Sequence, residues 1–421
     1  MWRFTFINLS SPSHTTVSTS FLATVRMPPL LKHESPLHCV LQPNRQVLPP
    51  EVLARTMRVF MAFIQCYKDN EMDWQQCRMP KQSRSYHRMT LTHETYKHCK
   101  DKDAFLQHFF ISLDSMICGK EDEPNFNKGL EFAENSLANE TTYDKAKHLL
   151  DFADNLLVFF FKMKTLSQDD TMKTPLTQAS EEPTPVYARH KTLWELCLIR
   201  EKNRCPGSEL FNESETFSRW ERYNGQLLDD DGKEMNLRGH FTHLEVAHII
   251  PISLMVCPKD KTELTGAQKL AISILNMFAP NISATLNGEE IDTPKNAITL
   301  SKSLRDHFGN FTIFFDEIPD KPHTYKMDSY KKNISFAYRF PKVVKLQNKD
   351  RQDIDPPCPH LLRIHRAVAE ILHLSTAGEY IDNIARESEE PSARSDGTTD
   401  IGAILAMKVG LNGYIRSRGL D

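Results

Sequence analysis

Apolar residues recur at three- and four-residue intervals through much of the first 165 positions. After Pro50-Glu51, the positions Val52, Leu53, Met57, Val59, Phe60, Phe63 and Ile64 predict a helix to about Tyr67. Phe105, Leu106, Phe109, Phe110, Leu113 and Met116 predict a second over 103–117, and 126–137 a third. A fourth is expected over 142–164, with Asp144 and Asp151 early and Lys162 and Lys164 late, as the helix dipole favours. Within it, Leu156 to Phe161 is apolar on every side, so it is either the centre of a helical bundle or a face that docks a partner. His108 and His148 are lone histidines in helical patterns and read as structural.

The pattern changes downstream. Pro175, Pro183 and Pro185 interrupt a polar stretch, which marks 167–187 as a linker. Residues 189–204 read as a helix stopped by Cys205-Pro206-Gly207, and 265–278 as another. Leu244 to His248 reads as a short strand closed by Pro251, and 311–315 as a further strand. The alternation of Phe336, Tyr338 and Phe340 predicts a half-buried strand. Residues 214–239 look irregular, with a turn at Asp229-Asp230-Asp231-Gly232 that lacks the further oxygens and distal Glu of a calcium loop. Residues 359–374 read as the last helix.

With 421 residues the chain exceeds one ordinary core. The expected organisation is a disordered leader over 1–48, a helical domain over 49–166, the linker, a second domain over 188–345, a C-terminal helical segment over 346–386 and a disordered tail over 387–421. A net charge of −3 excludes a general polycation, so nucleic-acid binding needs a local basic surface. The nine cysteines contain no Cys-x-x-Cys pair, which argues against a disulfide framework and a paired-cysteine zinc site, and suits reduced thiols in an intracellular protein. No apolar run reaches a membrane-spanning length, so no membrane partner is expected. Nucleus and cytoplasm both remain open, and oligomeric state is not legible.

The stretch Leu244-Glu245-Val246-Ala247-His248-Ile249-Ile250-Pro251 is followed by Asn296-Ala297-Ile298-Thr299-Leu300-Ser301, then Leu304 and His307-Phe308. Arg200 to Cys205 precedes them. Over about 189–345 this order resembles the HNH endonuclease family, and more narrowly the HNH domain of uncharacterised fungal proteins. The resemblance implies an α+β chain: an N-terminal helical domain and a C-terminal HNH nuclease-like domain, in which two strands and a helix (the ββα-metal unit) are joined by added helices and strands.

The resemblance also implies roles. His248 matches the general base that activates water, and His307 a ligand of one divalent ion. Asn296 matches the middle residue of the motif, which in some members ligates metal and in others aims the base. Many members carry Asp or His before the base; here Ala247 stands there, as in the fungal domain. Strand alternation puts Glu245 on the face of Ala247, so it is a candidate carboxylate ligand, though a solvated strand carboxylate is the commoner outcome. His240 and His243 read as surface or supporting residues, Cys205 as a packing thiol, and His360, His365 and His373 as surface histidines. Mg²⁺ is the expected ion, with Mn²⁺ and Zn²⁺ as alternatives. The basic, aromatic tract over 321–351, with Lys331, Lys332 and Arg339, fits a phosphate backbone or equally an ordinary solvated strand pair. Two readings stand. One is a hydrolase cutting phosphodiester bonds of nucleic acid, DNA ahead of RNA. The other is a catalytically silent HNH-fold scaffold that binds nucleic acid or protein.

Overall fold

The computed structural model describes residues 47–68, 86–117, 124–138, 143–169, 171–172, 185–235, 241–255, 266–286, 288–347 and 350–389. The first half is helical: α1 (Pro50–Lys68), α2 (Arg88–His98), α3 (Lys102–Ile117), α4 (Phe126–Ala138) and α5 (Tyr143–Asp169). Four of these match the apolar spacing. Helix α2 was not legible, because its buried face holds Arg88, Thr92, Glu94 and Thr95 beside Met89, Leu91 and Tyr96. The threonine hydroxyls donate to the carbonyls of Arg88 and Leu91 one turn back, which satisfies them inside the helix.

The rings of Phe60, Phe105, Phe109 and Phe152 meet edge to face at the bundle centre. The apolar run of α5 lies in this core. Leu156, Leu157, Phe159 and Phe160 are buried, and at about 1.5–3 kcal/mol for each side chain that burial outweighs a docking role.

The second half interleaves strands and helices: β1 (Thr171–Met172), α6 (Pro185–Arg200), β2 (Phe211–Asn212), α7 (Glu213–Arg222), β3 (Phe241–Thr242), β4 (Leu244–His248), α8 (Gly266–Phe278), α9 (Ile282–Thr285), β5 (Ala297–Ser301), α10 (Lys302–Gly309), β6 (Ile313–Glu317), β7 (Thr324–Ser329), α11 (Lys332–Tyr338), β8 (Lys342–Lys345), α12 (Pro359–Leu374) and α13 (Ala377–Glu389). Strand β4 lies between β1 and β5, antiparallel to both. Strands β6, β7 and β8 form a separate antiparallel meander.

Several expectations change. Part of the expected linker is structured: α5 continues to Asp169, Thr171 pairs with Ala247, and α6 already starts at Pro185. The expected irregular region contains α7. The expected strand at 336–340 is helix α11; Phe336 is 88% exposed, while Tyr338 and Phe340 stack on each other. Helix α12 is followed by α13 rather than being the last. His365 is buried, with its ring stacked on Phe308 at 3.8 Å, and is not a surface residue. The bulk of the expected leader and tail lies outside the described residues, as does His240.

The two halves share one apolar cluster, which runs from Phe60 in α1 to Ile384 in α13. Arg305 of α10 donates to the carbonyls of Ser167 and Gln168 at the end of α5. Gly309 sits so close to Ser167 that an added Cβ would lie 2.9 Å from its carbonyl oxygen. Lys164 of α5 pairs with Asp382 of α13 at 2.7 Å and donates to the carbonyl of Gly378. No helix among the described residues is long and apolar enough to cross a membrane.

Candidate active site

Register fixes which way the motif residues point. Leu244 pairs with Ser301, Val246 with Thr299 and His248 with Ala297, so these positions share one face of the β4–β5 ribbon. Glu245, Ala247, Ile298 and Leu300 share the other. The first face meets α6, where Val246 and Ala297 pack with Leu193 and Cys197, and the Thr299 hydroxyl donates to Glu201. The second face meets α10: Glu245 lies 3.9 Å from Arg305.

His248 is therefore on the α6 side. Its side chain is wholly buried, and Nε2 lies 3.2 Å from an oxygen of Asp292. Asp292 ends the 3₁₀ turn Gly288–Asp292 and is itself buried. A carboxylate only accepts, so Nε2 carries the proton and the lone pair is on Nδ1. Sequence reasoning did not single out Asp292. It lies 44 positions from His248 with no periodic link; its nearness to Asn296 was the available signal.

Asn296 is fully buried and bonded to backbone. Its amide donates to the carbonyls of Ile250 at 2.9 Å and Ile291 at 3.0 Å, and its carbonyl oxygen accepts the Ile250 N–H at 2.9 Å. The Asn296 main-chain carbonyl also accepts the N–H of Ile249. One carboxamide thus fastens the segment leaving His248 to the turn that carries Asp292. Both amide hydrogens and one of the two lone pairs of the amide oxygen are engaged in this staple.

The turn is held from behind by α6. Buried Arg200 donates to the carbonyls of Pro294 at 2.6 Å and Ala297 at 2.8 Å, and pairs with Glu201 at 2.7 Å. Burial pushes the Glu201 carboxyl up, against the pull of Arg200. Burial also pushes the Cys197 thiol up to about 12, which leaves it an inert packing group. Cys205 is buried too, its sulfur accepting the Ser208 N–H.

His307 lies on α10, half buried, and burial moves its pKa down, toward the neutral imidazole a metal requires. The Thr312 hydroxyl donates to the His307 carbonyl at 2.9 Å, so the 3.3 Å contact with Nδ1 is a ring N–H donating to that hydroxyl. The lone pair is then on Nε2, and a second residue fixes this tautomer, as it does for metal-binding histidines. The ring meets Tyr338 of α11 edge to face at 5.5 Å; Asp306 favours its charging, and Lys331, more weakly, disfavours it. His248 is not among these partners. The fold thus joins His248 to Asp292 and Asn296, and His307 to the basic helix α11, on two sides of one ribbon.

Glu245 is half buried, and burial raises its pKa while Arg305 lowers it. It faces α10, but a guanidinium already occupies its neighbourhood. His243 is exposed and pairs with Glu213. The three aspartates after Leu228 serve as counter-charges: Asp229 for Arg204, Asp230 for Arg219 and Asp231 for Lys202. Among the described residues, the convergent set of three metal-ligand side chains is Glu94, His98 and Glu370, on α2 and α12, away from the HNH motif. Its carboxylates already face Lys97 and Arg366, and the Tyr330 hydroxyl donates to Glu370.

Residues 225–316 match the model of the HNH endonuclease family, and so span β4, the Asp292 turn, β5 and α10. HNH endonucleases are a nuclease family that works with a divalent metal on nucleic acid. The match covers under a quarter of the chain; it leaves out α6, with Arg200, and α11. No curated protein and no solved structure gives a significant match.

Proposed function

We propose that the chain is a metal-dependent endonuclease hydrolysing phosphodiester bonds, with DNA the first candidate substrate and RNA the second. The observation that carries this is the buried His248–Asp292 pair at the end of β4, within the family-matched segment. On this reading Nδ1 of His248 takes the proton of the water that attacks phosphorus. Asp292 holds the ring in the tautomer that leaves Nδ1 basic and faces the imidazolium that forms. Asn296 is a positioning residue, because it sets the backbone on which His248 and Asp292 meet.

His307 is the residue that fits a divalent cation, through Nε2. Mg²⁺ is the first candidate, since it tolerates few protein ligands and keeps its waters; Mn²⁺ and Zn²⁺ are the others. Glu245, held by Arg305, supports α10 or an outer water more readily than it ligates directly. When bound, such an ion offsets charge growing on the phosphate and leaving oxygen. Lys331, Lys332 and Arg339 hold the substrate backbone beside His307.

The experiment is nicking of supercoiled plasmid by purified protein with Mg²⁺, Mn²⁺ or Zn²⁺, with EDTA, and by His248→Ala. Cutting should need metal and fall by roughly 10²–10⁴ in the variant. Cutting that survives both EDTA and the substitution ends this reading.

A second reading, a silent scaffold that binds nucleic acid or protein, is favoured by the absence of solvent at the His248 side chain, by Ala247, and by the placement of His248 and His307 on opposite sides of the β4–β5 ribbon. It is the better account if the wild type binds DNA and cuts it with none of the three metals.

A further inference from the structure

We infer that α11 is a nucleobase-stacking element, with Phe336 as the stacking ring and Lys332 and Arg339 as flanking phosphate contacts. The inference rests on the nuclease reading and names how that site holds a DNA strand.

Helix α11 has no buried residue. Its other large side chains are accounted for: Ile334 packs against the main core, and Tyr338 lies between His307 and Phe340. Phe336 stands apart, at 88% the most exposed of the large apolar side chains described. Lys332 is four residues before it, a spacing that places both on one side of the helix, and Arg339 follows as the left-handed residue that ends the helix. The two cations thus bracket the ring, one at each end of the helix. Both are exposed, and neither forms an ion pair among the described residues. Elsewhere on this surface cations tend to be matched, as Lys326 is by Asp328 and Arg363 by Glu317.

An aromatic face between unmatched cations suits one ligand chemistry best: a flat base attached to a charged backbone. A protein partner with an acidic groove would meet the cations but has no particular use for a bare ring. Position agrees, because the next residues along the helix reach His307 through Tyr338, and Lys331 at its start is near the same imidazole. A base drawn onto Phe336 would fix its strand beside the proposed metal ligand. Helix α11 lies outside the family-matched segment.

The test is fluorescence anisotropy with the full chain in EDTA, so that nothing is cut. The probes are a labelled single-stranded DNA oligonucleotide and its fully paired duplex, each titrated over a range of salt. Phe336→Ala should weaken single-strand binding about tenfold and leave the salt dependence unchanged, and Phe336→Trp should restore it. Lys332→Gln and Arg339→Gln should each flatten the logarithmic salt slope by somewhat under one unit. Since Phe336 contacts little and alanine favours helix, loss of folding does not confound the result.

Single-strand affinity of Phe336→Ala within twofold of wild type overturns the inference. So does a sedimentation experiment in which that variant loses self-association while keeping its DNA affinity, because the ring would then serve a second copy of this chain. If the wild type still nicks plasmid in a metal-dependent way, the nuclease reading survives either result. If the wild type neither binds nor nicks DNA, both readings fall together.

Discussion

Burial sets the protonation state of one histidine of this chain, and a buried partner sets the tautomer of another. His365 is enclosed between Phe308 and Phe311, donates Nε2–H to the Phe308 carbonyl, and is held down to about 3 by burial. Its folded pKa lies below its unfolded value near 6.5, so the unfolded chain binds the extra proton. Stability is therefore complete above pH 6.5 and declines by about 1.4 kcal/mol per unit as pH falls from there toward 3. Urea midpoints at pH 7.5 and 5.5 should show this loss, and His365→Asn should lose less over the same interval. His248 is the other case, and its partner decides its use. Asp292→Asn keeps the shape of the pair but permits the other tautomer, so nicking should fall on the order of 100-fold or more while the melting temperature changes little. A variant as active as wild type would show that Asp292 does not orient the base. The imidazoles and the carboxamide were visible as letters in order. Asp292 was not, because its meaning comes from a turn folded back on a strand rather than from spacing. The resemblance left two roles open for Asn296; its three bonds to backbone describe a staple.

Elements were legible where one face is apolar and the other wet. Strand β4 and helix α12 fall on the expected bounds, since their patterns have a single reading. Helix α2 defeats that logic because it buries threonines and a glutamate. Helix α11 defeats it differently: Phe336, Tyr338 and Phe340 alternate as a strand would, but only the last two have anything to stack on. Close approach between elements is also invisible to periodicity. At Gly129 of α4, a Cβ would lie 1.9 Å from the Phe110 carbonyl oxygen of α3, so the two helices meet backbone to backbone. Gly129→Ala should cost about 2 kcal/mol or more, against the gain of up to 1 kcal/mol that the same change brings in an open helix. A denaturation midpoint equal to wild type would show that α3 and α4 separate easily.

On the scale of the molecule, the main apolar cluster of the described residues runs through both halves of the chain. Linkers announce themselves by composition, and 167–187 does so, yet its first residues lengthen α5 and add an edge strand to β4. Nothing in a linear pattern reports that α10 will rest on the end of α5. The bundle and the nuclease-like half should therefore unfold in a single transition. Far-UV circular dichroism, weighted to the helices, and the fluorescence of Trp194 and Trp220, isolated by replacing Trp2 and Trp74 with Phe, should give coincident denaturation curves. Two separated transitions would restore the two-domain picture.

The contact of Gly309 with Ser167 has a genetic corollary. If the chain cuts nucleic acid as proposed, a screen that scores only loss of cutting would not outline its chemistry. It would also return lesions at the end of α5, which holds none of the proposed reactive groups but bears α10 and so His307. Read without the fold, such a map would suggest a second active region where there is only support.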